Sequence, residues 1–186
     1  IVSDCKKQNI ELINDFFNYR LAKKLKKKHS CELITANNVL ANIPNINSFF
    51  KGISFLLNDN GYFIFETIYG PDIIKNKYID MINSEHLYYF SLKSLSYLLK
   101  KNNLKIIKIK KSKIKGGSIR IYSKKIDSVK LYSENIVVKN LLQKEKILGF
   151  HNFNKLKKIN IKYKIYKRNV ISFLKNLKKN KNKIFG

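Results

Sequence analysis

The sequence predicts an α/β fold built on an open, doubly wound sheet with an antiparallel hairpin at its edge. Strand and helix patterns alternate between residues 17 and 68, which is the arrangement that βαβ units produce. Residues 62–68 form a nearly continuous apolar run of the kind that a parallel sheet buries on both faces. The pair Gly116 and Gly117 separates two further strand patterns, and this predicts the hairpin.

The first half of the chain is predicted from the spacing of its apolar residues. Phe17, Leu21 and Leu25 recur every four residues on a Lys-rich background, which is typical of an amphipathic helix. A turn sequence, Asn-Asp-Asn-Gly at residues 58–61, separates a helix pattern from the buried strand. The elements predicted here are a helix, a strand, a helix and a strand, over residues 17–28, 32–35, 46–57 and 62–68.

The second half contains one well-marked helix start and one alternating strand. Ser91 is predicted to cap a helix that runs through Leu95 and Leu99. Ile alternates with Lys over residues 104–114, so this strand is expected to have one face in water. We expect both ends of the chain to continue in a longer protein. The other predicted elements are a helix that follows Gly70-Pro71 and extends to about Asn83, a strand over 118–123, charged helices over 129–148 and 154–179, and the start of a strand at 183–186.

Length and composition narrow the class of protein. With 186 residues the chain is long enough for one domain or slightly more, and 44% hydrophobic residues exclude disorder over most of it. Cys5 and Cys31 are too few for a disulfide framework or a four-thiolate zinc site, and we expect both to be buried, reduced thiols. The longest uncharged run, residues 33–50, contains five Asn and a Pro and does not predict a membrane span. No secretory leader is visible, so we expect a cytoplasmic protein.

The formal net charge of +27 leaves two interpretations open. Only Arg20, Arg120 and Arg168 are arginines, whereas proteins that read bases and phosphates rely on bidentate Arg. The abundance of Asn, Ile and Lys favours a genome-wide composition bias. The alternative is a basic nucleic-acid-binding module, whose binding would weaken steeply with salt and would use the Lys-rich face of residues 104–114.

Four motifs occur in order along the chain, and together they resemble one family. They are Asp-Phe-Phe-Asn at 15–18, Ala-Asn-Asn-Val-Leu-Ala-Asn-Ile-Pro at 36–44, Glu-His-Leu-Tyr-Tyr-Phe-Ser-Leu at 85–92 and Gly-Gly-Ser-Ile-Arg-Ile-Tyr at 116–122. The set resembles class I S-adenosylmethionine-dependent C-methyltransferases that act on nucleotide-linked keto-sugars, over essentially the whole chain. That family combines an N-terminal zinc-binding domain, a Rossmann-like cofactor domain and a C-terminal domain.

The resemblance implies a place for this chain within that architecture. Residues 1–125 would be the C-terminal half of the Rossmann-like domain, and residues 126–186 the helical beginning of a truncated C-terminal domain. The glycine-rich cofactor loop would lie outside the chain, because the first glycine of the chain is Gly52. The implied cofactor is S-adenosylmethionine and the implied substrate a nucleotide-linked keto-sugar. Since half of the cofactor pocket would be missing, we expect the chain to be inactive by itself.

The resemblance implies that His86 is the general base and that Glu85 is the carboxylate that accompanies it. Methylation of carbon requires removal of a proton beside a ketone, and an imidazole, with an ordinary pKa of about 6.5, suits that task at neutral pH. The residues by themselves leave other interpretations open: His86 as a capping or core-edge histidine, and Glu85 as an ordinary exposed carboxylate. The other histidines, His29 and His151, have Lys-rich surroundings and are expected at the surface.

Three residues at substrate positions depart from the family's pattern. Asn42 stands where relatives commonly have His, Asn83 where they have Tyr three residues before the base, and Lys115 where they have His before the Gly-Gly turn. Asn can donate a hydrogen bond to a keto or enolate oxygen, but it cannot act as an acid or base near pH 7. Lys115 would suit a phosphate. These departures also leave open a degenerate, methyltransferase-like protein.

The resemblance implies cofactor contacts at Asp15, Phe16, Asn37 and Asn38. The Asp15 carboxylate would accept a hydrogen bond from the adenine amino group while the Phe16 ring packs nearby. Asn37 and Asn38 would end a strand at the edge where open α/β sheets bind ligands. The alternatives are that Asp15 caps the first helix and that the two Asn residues only form a turn.

Overall fold

The computed structural model describes residues 8, 10–78, 81–113, 116–128, 136–180 and 183. The helices among these residues are α1 (Tyr19–Lys26), α2 (Ile46–Leu56), α3 (Gly70–Asn76), α4 (Leu92–Lys101), α5 (Ile136–Leu148) and α6 (Phe153–Lys179). The strands are β1 (Cys31–Asn37), β2 (Leu57–Ile68), β3 (Leu104–Ser112) and β4 (Ser118–Lys125). Short 3₁₀ turns follow β1 at Leu40–Asn42 and β4 at Ile126–Ser128.

The four strands form one mixed sheet in the order β1-β2-β4-β3. β1 and β2 are parallel, and β4 runs antiparallel to both β2 and β3, which confirms the α/β class and the predicted edge hairpin. Asn37, at the end of β1, lies opposite Glu66, near the end of β2. Because parallel strands end at the same edge, the segments that follow β1 and β2 meet there. We call this region the strand-end edge.

Helices α2 and α4 cover one face of the sheet with an aromatic and aliphatic core. Phe63 and Phe65 alternate with other residues on β2, so they share a face, and their rings stack at 4.9 Å. The Phe50 ring of α2 lies edge-on to both, with centroids 6.1 Å away in each case. Leu95 and Leu99 of α4 complete the cluster. This packing fixes the parallel strands and therefore the position of the strand-end edge.

Strand β2 begins earlier than the sequence predicted. It starts at Leu57, directly after α2, rather than at Tyr62. Pairing steps from Cys31 opposite Leu57 to Leu33 opposite Tyr62, so the Asn-Asp-Asn-Gly segment bulges out of the ladder. The turn sequence is therefore part of an irregular strand and does not separate β2 from α2.

Helix α3 is shorter than predicted, because it ends at Asn76 instead of continuing to about residue 83. Lys77 adopts a left-handed conformation with φ 57°, and its N–H bonds back to the carbonyls of Ile73 and Ile74. Among the remaining predicted elements, residues 129–135 of a helix and 184–186 of a strand lie outside the described residues.

Cys31 is half buried, so the expectation of a buried thiol is wrong for this residue. It is the first residue of β1, an outer strand of the sheet, and it forms no disulfide. Cys5 lies outside the described residues.

Within the described ranges, no group of three or more His, Cys, Asp or Glu side chains could hold a metal ion. In the same ranges, no helix combines the length and apolarity needed to cross a membrane.

Candidate active site

The chain turns sharply at Asn38, immediately after β1. Asn38 is left-handed, with φ 54°, and its N–H donates to the Glu66 carbonyl at 2.8 Å. Asn is one of the few non-glycine residues that enter this conformation readily. Asn37, Asn38 and Asn42, in the following 3₁₀ turn, are all exposed. Asn38 therefore makes the turn out of β1, and the side chains of Asn37 and Asn38 remain accessible at the strand-end edge.

The segment that carries His86 is anchored on the turn that follows β1. The Ala41 carbonyl accepts hydrogen bonds from the Leu87 N–H at 2.8 Å and from the Tyr88 N–H at 3.3 Å. Asn42 is the neighbour of Ala41, and His86 is the neighbour of Leu87. The structure thus brings the predicted base and one predicted substrate residue onto two segments that touch at the strand-end edge.

Asn83 shapes the turn on which His86 lies. Its Oδ1 accepts from the backbone N–H groups of Glu85 and His86, at 3.2 Å in each case. The Asn83 N–H donates to the Tyr89 hydroxyl oxygen at 3.1 Å, and the Tyr89 hydroxyl donates to the Met81 carbonyl at 3.2 Å. Because Oδ1 is engaged in this Asx-type turn, the side-chain contact that Asn83 can offer a substrate is a donor. Glu85 is exposed on the same turn.

The His86 ring is half buried, and one of its nitrogens is shielded from water. Nδ1 has no hydrogen-bond partner among the described residues. The Tyr89 ring packs edge-on against the imidazole, with centroids 5.6 Å apart and planes at 73°. Ser91 caps helix α4, so His86 is not the capping residue. A nitrogen closed to water is also closed to a ligand, so the ring nitrogen that could exchange a proton with a ligand in this arrangement is Nε2.

Asp15 and Phe16 project away from the first helix. Asn18 is the N-cap of α1, because its Oδ1 accepts from the Leu21 N–H at 3.0 Å; the alternative that Asp15 caps this helix is therefore wrong. The Asp15 carboxylate accepts from the Phe16 N–H at 2.8 Å. The Phe16 ring is 88% exposed, whereas Phe17 is partly buried and packs against the core. An aromatic face left in water beside a carboxylate fits the amino edge and the flat ring of a purine.

The hairpin tip packs against the residues that follow β2. Lys115 lies outside the described residues, but Gly116 and Gly117 turn the chain with φ values of 73° and 126°, as predicted. A Cβ added at Gly117 would lie 2.7 Å from the Cβ of Asp72 in α3, so a side chain there would collide. The Gly117 carbonyl accepts from the Tyr69 N–H at 3.1 Å. The Gly-Gly motif is therefore part of the strand-end edge.

Glu66 of β2 is a buried carboxylate that the motifs do not single out. It accepts from the Ser118 hydroxyl at 2.7 Å and from Arg120 Nε at 2.9 Å, and it pairs with the Arg120 terminal nitrogen at 2.7 Å. The bond to Glu66 raises the pKa of the Arg120 guanidinium. The available signal was a single carboxylate within the apolar run of residues 63–68. Glu66 links the turn at Asn38 to the hairpin.

Glu145 of α5 is a second buried carboxylate without a sequence signal. It is fully buried and accepts from the Tyr69 hydroxyl at 2.8 Å. Burial and this bond raise the pKa of Tyr69. The ring nitrogen Nε2 of His151 lies 3.1 Å from the carboxylate. His29 and His151 are at the surface as predicted, but His151 also contacts this internal group.

Comparison with known proteins finds two domain families along the chain. Residues 3–109 match a methyltransferase domain, and residues 113–186 match a C-methyltransferase C-terminal domain. The C-methyltransferase NovU of Streptomyces niveus is 30% identical over 103 residues, which are 55% of this chain and 24% of that protein. The chain therefore spans about a quarter of the length of this curated relative.

Two solved structures of methyltransferases are similar to part of this chain. A S-adenosylmethionine-dependent methyltransferase from Clostridium acetobutylicum ATCC 824 has a TM-score of 0.47 and 13% identity, covering 66% of this chain and 68% of that one. The magnesium protoporphyrin IX methyltransferase of Synechocystis PCC 6803, solved with bound SAH, has a TM-score of 0.41 and 10% identity, covering 53% and 47%.

Proposed function

The chain belongs to the methyltransferase domain family, and on that premise we propose that it is part of a S-adenosylmethionine-dependent C-methyltransferase acting on a nucleotide-linked keto-sugar. The match of residues 113–186 to a C-methyltransferase C-terminal domain and the similarity to NovU support C-methylation. A carbon acceptor requires a base that removes its proton, and the strand-end edge offers one in His86.

We place the division between the two domains after residue 125. The matched families change between residues 109 and 113, but β4 (Ser118–Lys125) lies inside the sheet, between β2 and β3. Removing β4 would separate β3 from the rest of the sheet, so it belongs with the first domain. Residues 126–186 then form the helical beginning of the C-terminal domain.

The observation that carries the proposal is the environment of the His86 imidazole. Its place at the strand-end edge, on a segment bonded to the Ala41 carbonyl, supports a role as the general base for the C–H bond beside the ketone, with Nε2 as the accepting nitrogen because Nδ1 is closed off. The C–H bond breaks, the proton passes to the imidazole, and the electron pair remains on the substrate carbon. S-adenosylmethionine, when bound, supplies the electrophilic methyl group. Asn42 and the amide nitrogen of Asn83 donate hydrogen bonds to the substrate oxygen, where negative charge develops.

Other residues of the chain bind and orient the reactants in this proposal. Glu85, exposed on the His86 turn, orients the sugar by accepting from its hydroxyl groups, and Lys115 contacts a phosphate of the nucleotide carrier. Asp15 and Phe16 meet the adenine of the cofactor. Their fit to that group rests on the exposed Phe16 ring beside the Asp15 carboxylate.

Asn37 and Asn38 contact the cofactor at the end of β1, where both side chains are exposed. The first glycine of the chain is Gly52, so the chain supplies no glycine-rich loop ahead of β1, and we propose that another part of the protein provides it. We also propose a cytoplasmic location for the protein.

A direct test compares methyl transfer by the complete enzyme and by its His86→Ala and His86→Gln variants. Both variants are expected to lower kcat by about 100-fold or more, because neither side chain can act as the base. His29→Ala is the matched control, since His29 is a surface histidine that pairs with Glu11. Transfer at the wild-type rate by His86→Ala would remove His86 from the role of base.

A further inference from the structure

The buried carboxylate of Glu145 connects its own helix, α5, to three other segments of the protein. It accepts from the Tyr69 hydroxyl, at the end of β2, and from the backbone N–H groups of Leu92 and Lys93, at the start of α4. It also contacts His151, between α5 and α6. A buried carboxylate is stable only when its oxygens are satisfied in this way, so the four segments are held in one arrangement.

The contact with α4 completes the capping of that helix. The first N–H groups of a helix have no partner within the helix. Ser91 satisfies the third of them, because its hydroxyl accepts from the Ser94 N–H at 3.1 Å. Leu92 and Lys93, the first two residues, are satisfied by Glu145 from a different helix. A negative charge at this end of a helix is also favoured by the helix dipole.

The two residues that Glu145 bonds to, Tyr69 and Leu92, both lie next to the end of the segment that follows His86. Tyr69 forms a parallel bridge with Phe90, and the Gly70 N–H donates to the Phe90 carbonyl at 2.9 Å. Phe90 is four residues after His86 and two before Leu92. Glu145 therefore holds both Tyr69, which pairs with Phe90, and Leu92, which follows Phe90 in the chain. These contacts fix the position of the end of the segment that carries His86.

The corner between α5 and α6 adds a packing contact at the same place. A Cβ added at Gly70 would lie 2.8 Å from the Phe150 ring, so Phe150 fills the space over the residue that follows Tyr69. The Phe150 N–H donates to the Glu145 carbonyl at 3.3 Å, which fixes the ring relative to the carboxylate. The helical segment beyond residue 125 thus contacts the end of β2 through both a charge and an aromatic ring.

We propose that Glu145 is a positioning residue for His86, through which the helical C-terminal segment sets the direction of the imidazole. The inference rests on the proposed function for the role of His86 as base. Loss of the carboxylate leaves the start of α4 and the end of β2 connected only through the backbone contacts of Phe90, so that they can shift relative to each other. The imidazole is then displaced from the C–H bond, and the chemical step slows while cofactor binding is retained.

The first test uses the three histidines of this chain as reporters in ¹H–¹³C NMR spectra of the imidazoles. In Glu145→Gln, the His151 resonances are expected to move because His151 touches residue 145, and the His86 resonances to move because its segment shifts. The His29 resonances are expected to remain unchanged. Glu11→Gln is the matched control and should change only His29, its partner. A His86 signal that is unmoved in Glu145→Gln, while His151 shifts, would overturn the inference.

The second test measures kcat and KM of the complete enzyme. Glu145→Gln is expected to lower kcat about 10- to 100-fold and to leave KM for S-adenosylmethionine unchanged. Tyr69→Phe keeps the carboxylate on α4 but removes its bond to β2, and it should cause a smaller loss of kcat in the same direction. If Glu145→Gln does not fold, Tyr69→Phe decides the matter in both tests: an unmoved His86 signal and an unchanged kcat contradict the proposal.

The outcome separates this inference from the proposed function. If His86→Ala transfers methyl groups normally, the assignment of the base fails, yet the NMR test still reports whether Glu145 positions the His86 segment. If His86→Ala is inactive while Glu145→Gln leaves both the His86 signal and kcat unchanged, the base assignment stands and the positioning role fails.

Discussion

Replacement of Tyr69 by Phe is expected to change how stability depends on alkaline pH. Tyr69 is only 1% exposed, and burial together with its bond to Glu145 raises its pKa above the ordinary value of about 10. In the unfolded chain the phenol titrates near pH 10, so above that pH the unfolded state loses a proton that the native state keeps. From this group the wild-type protein loses about 1.4 kcal/mol of unfolding free energy per pH unit, and the Phe variant loses none of it.

Below pH 9 the wild-type protein is the more stable of the two, because both states keep the phenol proton and the variant lacks a hydrogen bond to a buried carboxylate. Tyr69→Phe should then be less stable by about 1.5–3 kcal/mol. Urea unfolding at pH 8, 10 and 11 measures the difference, and the other titrating groups cancel in the comparison. The difference is expected to shrink above pH 10. A constant difference up to pH 11 would refute the conclusion that the native state holds Tyr69 protonated.

Three further predictions concern the strand-end edge and the cofactor. Asn38→Ala should lower the free energy of unfolding by about 1–2 kcal/mol and Asn38→Gly by much less, because φ is positive there; equal losses in urea unfolding would contradict this. Phe16→Ala should change stability by less than about 0.5 kcal/mol, whereas Phe17→Ala, which removes a ring that packs against the core, should cost about 2 kcal/mol; the reverse order would show that the exposed ring is structural. The isolated chain should show no measurable heat of binding to S-adenosylmethionine in titration calorimetry, because half of the pocket is missing; tight binding would be incompatible with that view.

Elements with a local signal could be predicted from the sequence. The buried strand over residues 62–68, the cap at Ser91 and the turn at Gly116 and Gly117 each depend on residues that are close together in the chain. Side-chain alternation, hydroxyl capping and glycine turns are local properties, so reading them needs no knowledge of the tertiary structure. The role of His86, by contrast, came from the resemblance to the methyltransferase family and not from a local pattern of this kind.

The features that the sequence did not reveal depend on distant residues. Glu145 bonds to Tyr69 across 76 positions, and Glu66 bonds to Ser118 across 52, so neither pair forms a recognisable motif. The early end of α3 depends on the left-handed Lys77, a residue type that gives no signal for it. Cys31 was expected in the interior because cysteines commonly are buried, but its place on an outer strand leaves it half exposed.

The most direct measurement follows the proton that His86 is proposed to remove. The complete enzyme is incubated in D₂O with a nucleotide-linked keto-sugar and without S-adenosylmethionine, and deuterium incorporation beside the ketone is measured by mass spectrometry. Wild-type protein and His29→Ala should incorporate deuterium, and His86→Ala should not, because the imidazole is the group that breaks the C–H bond. Incorporation by His86→Ala at the wild-type rate would contradict the central claim.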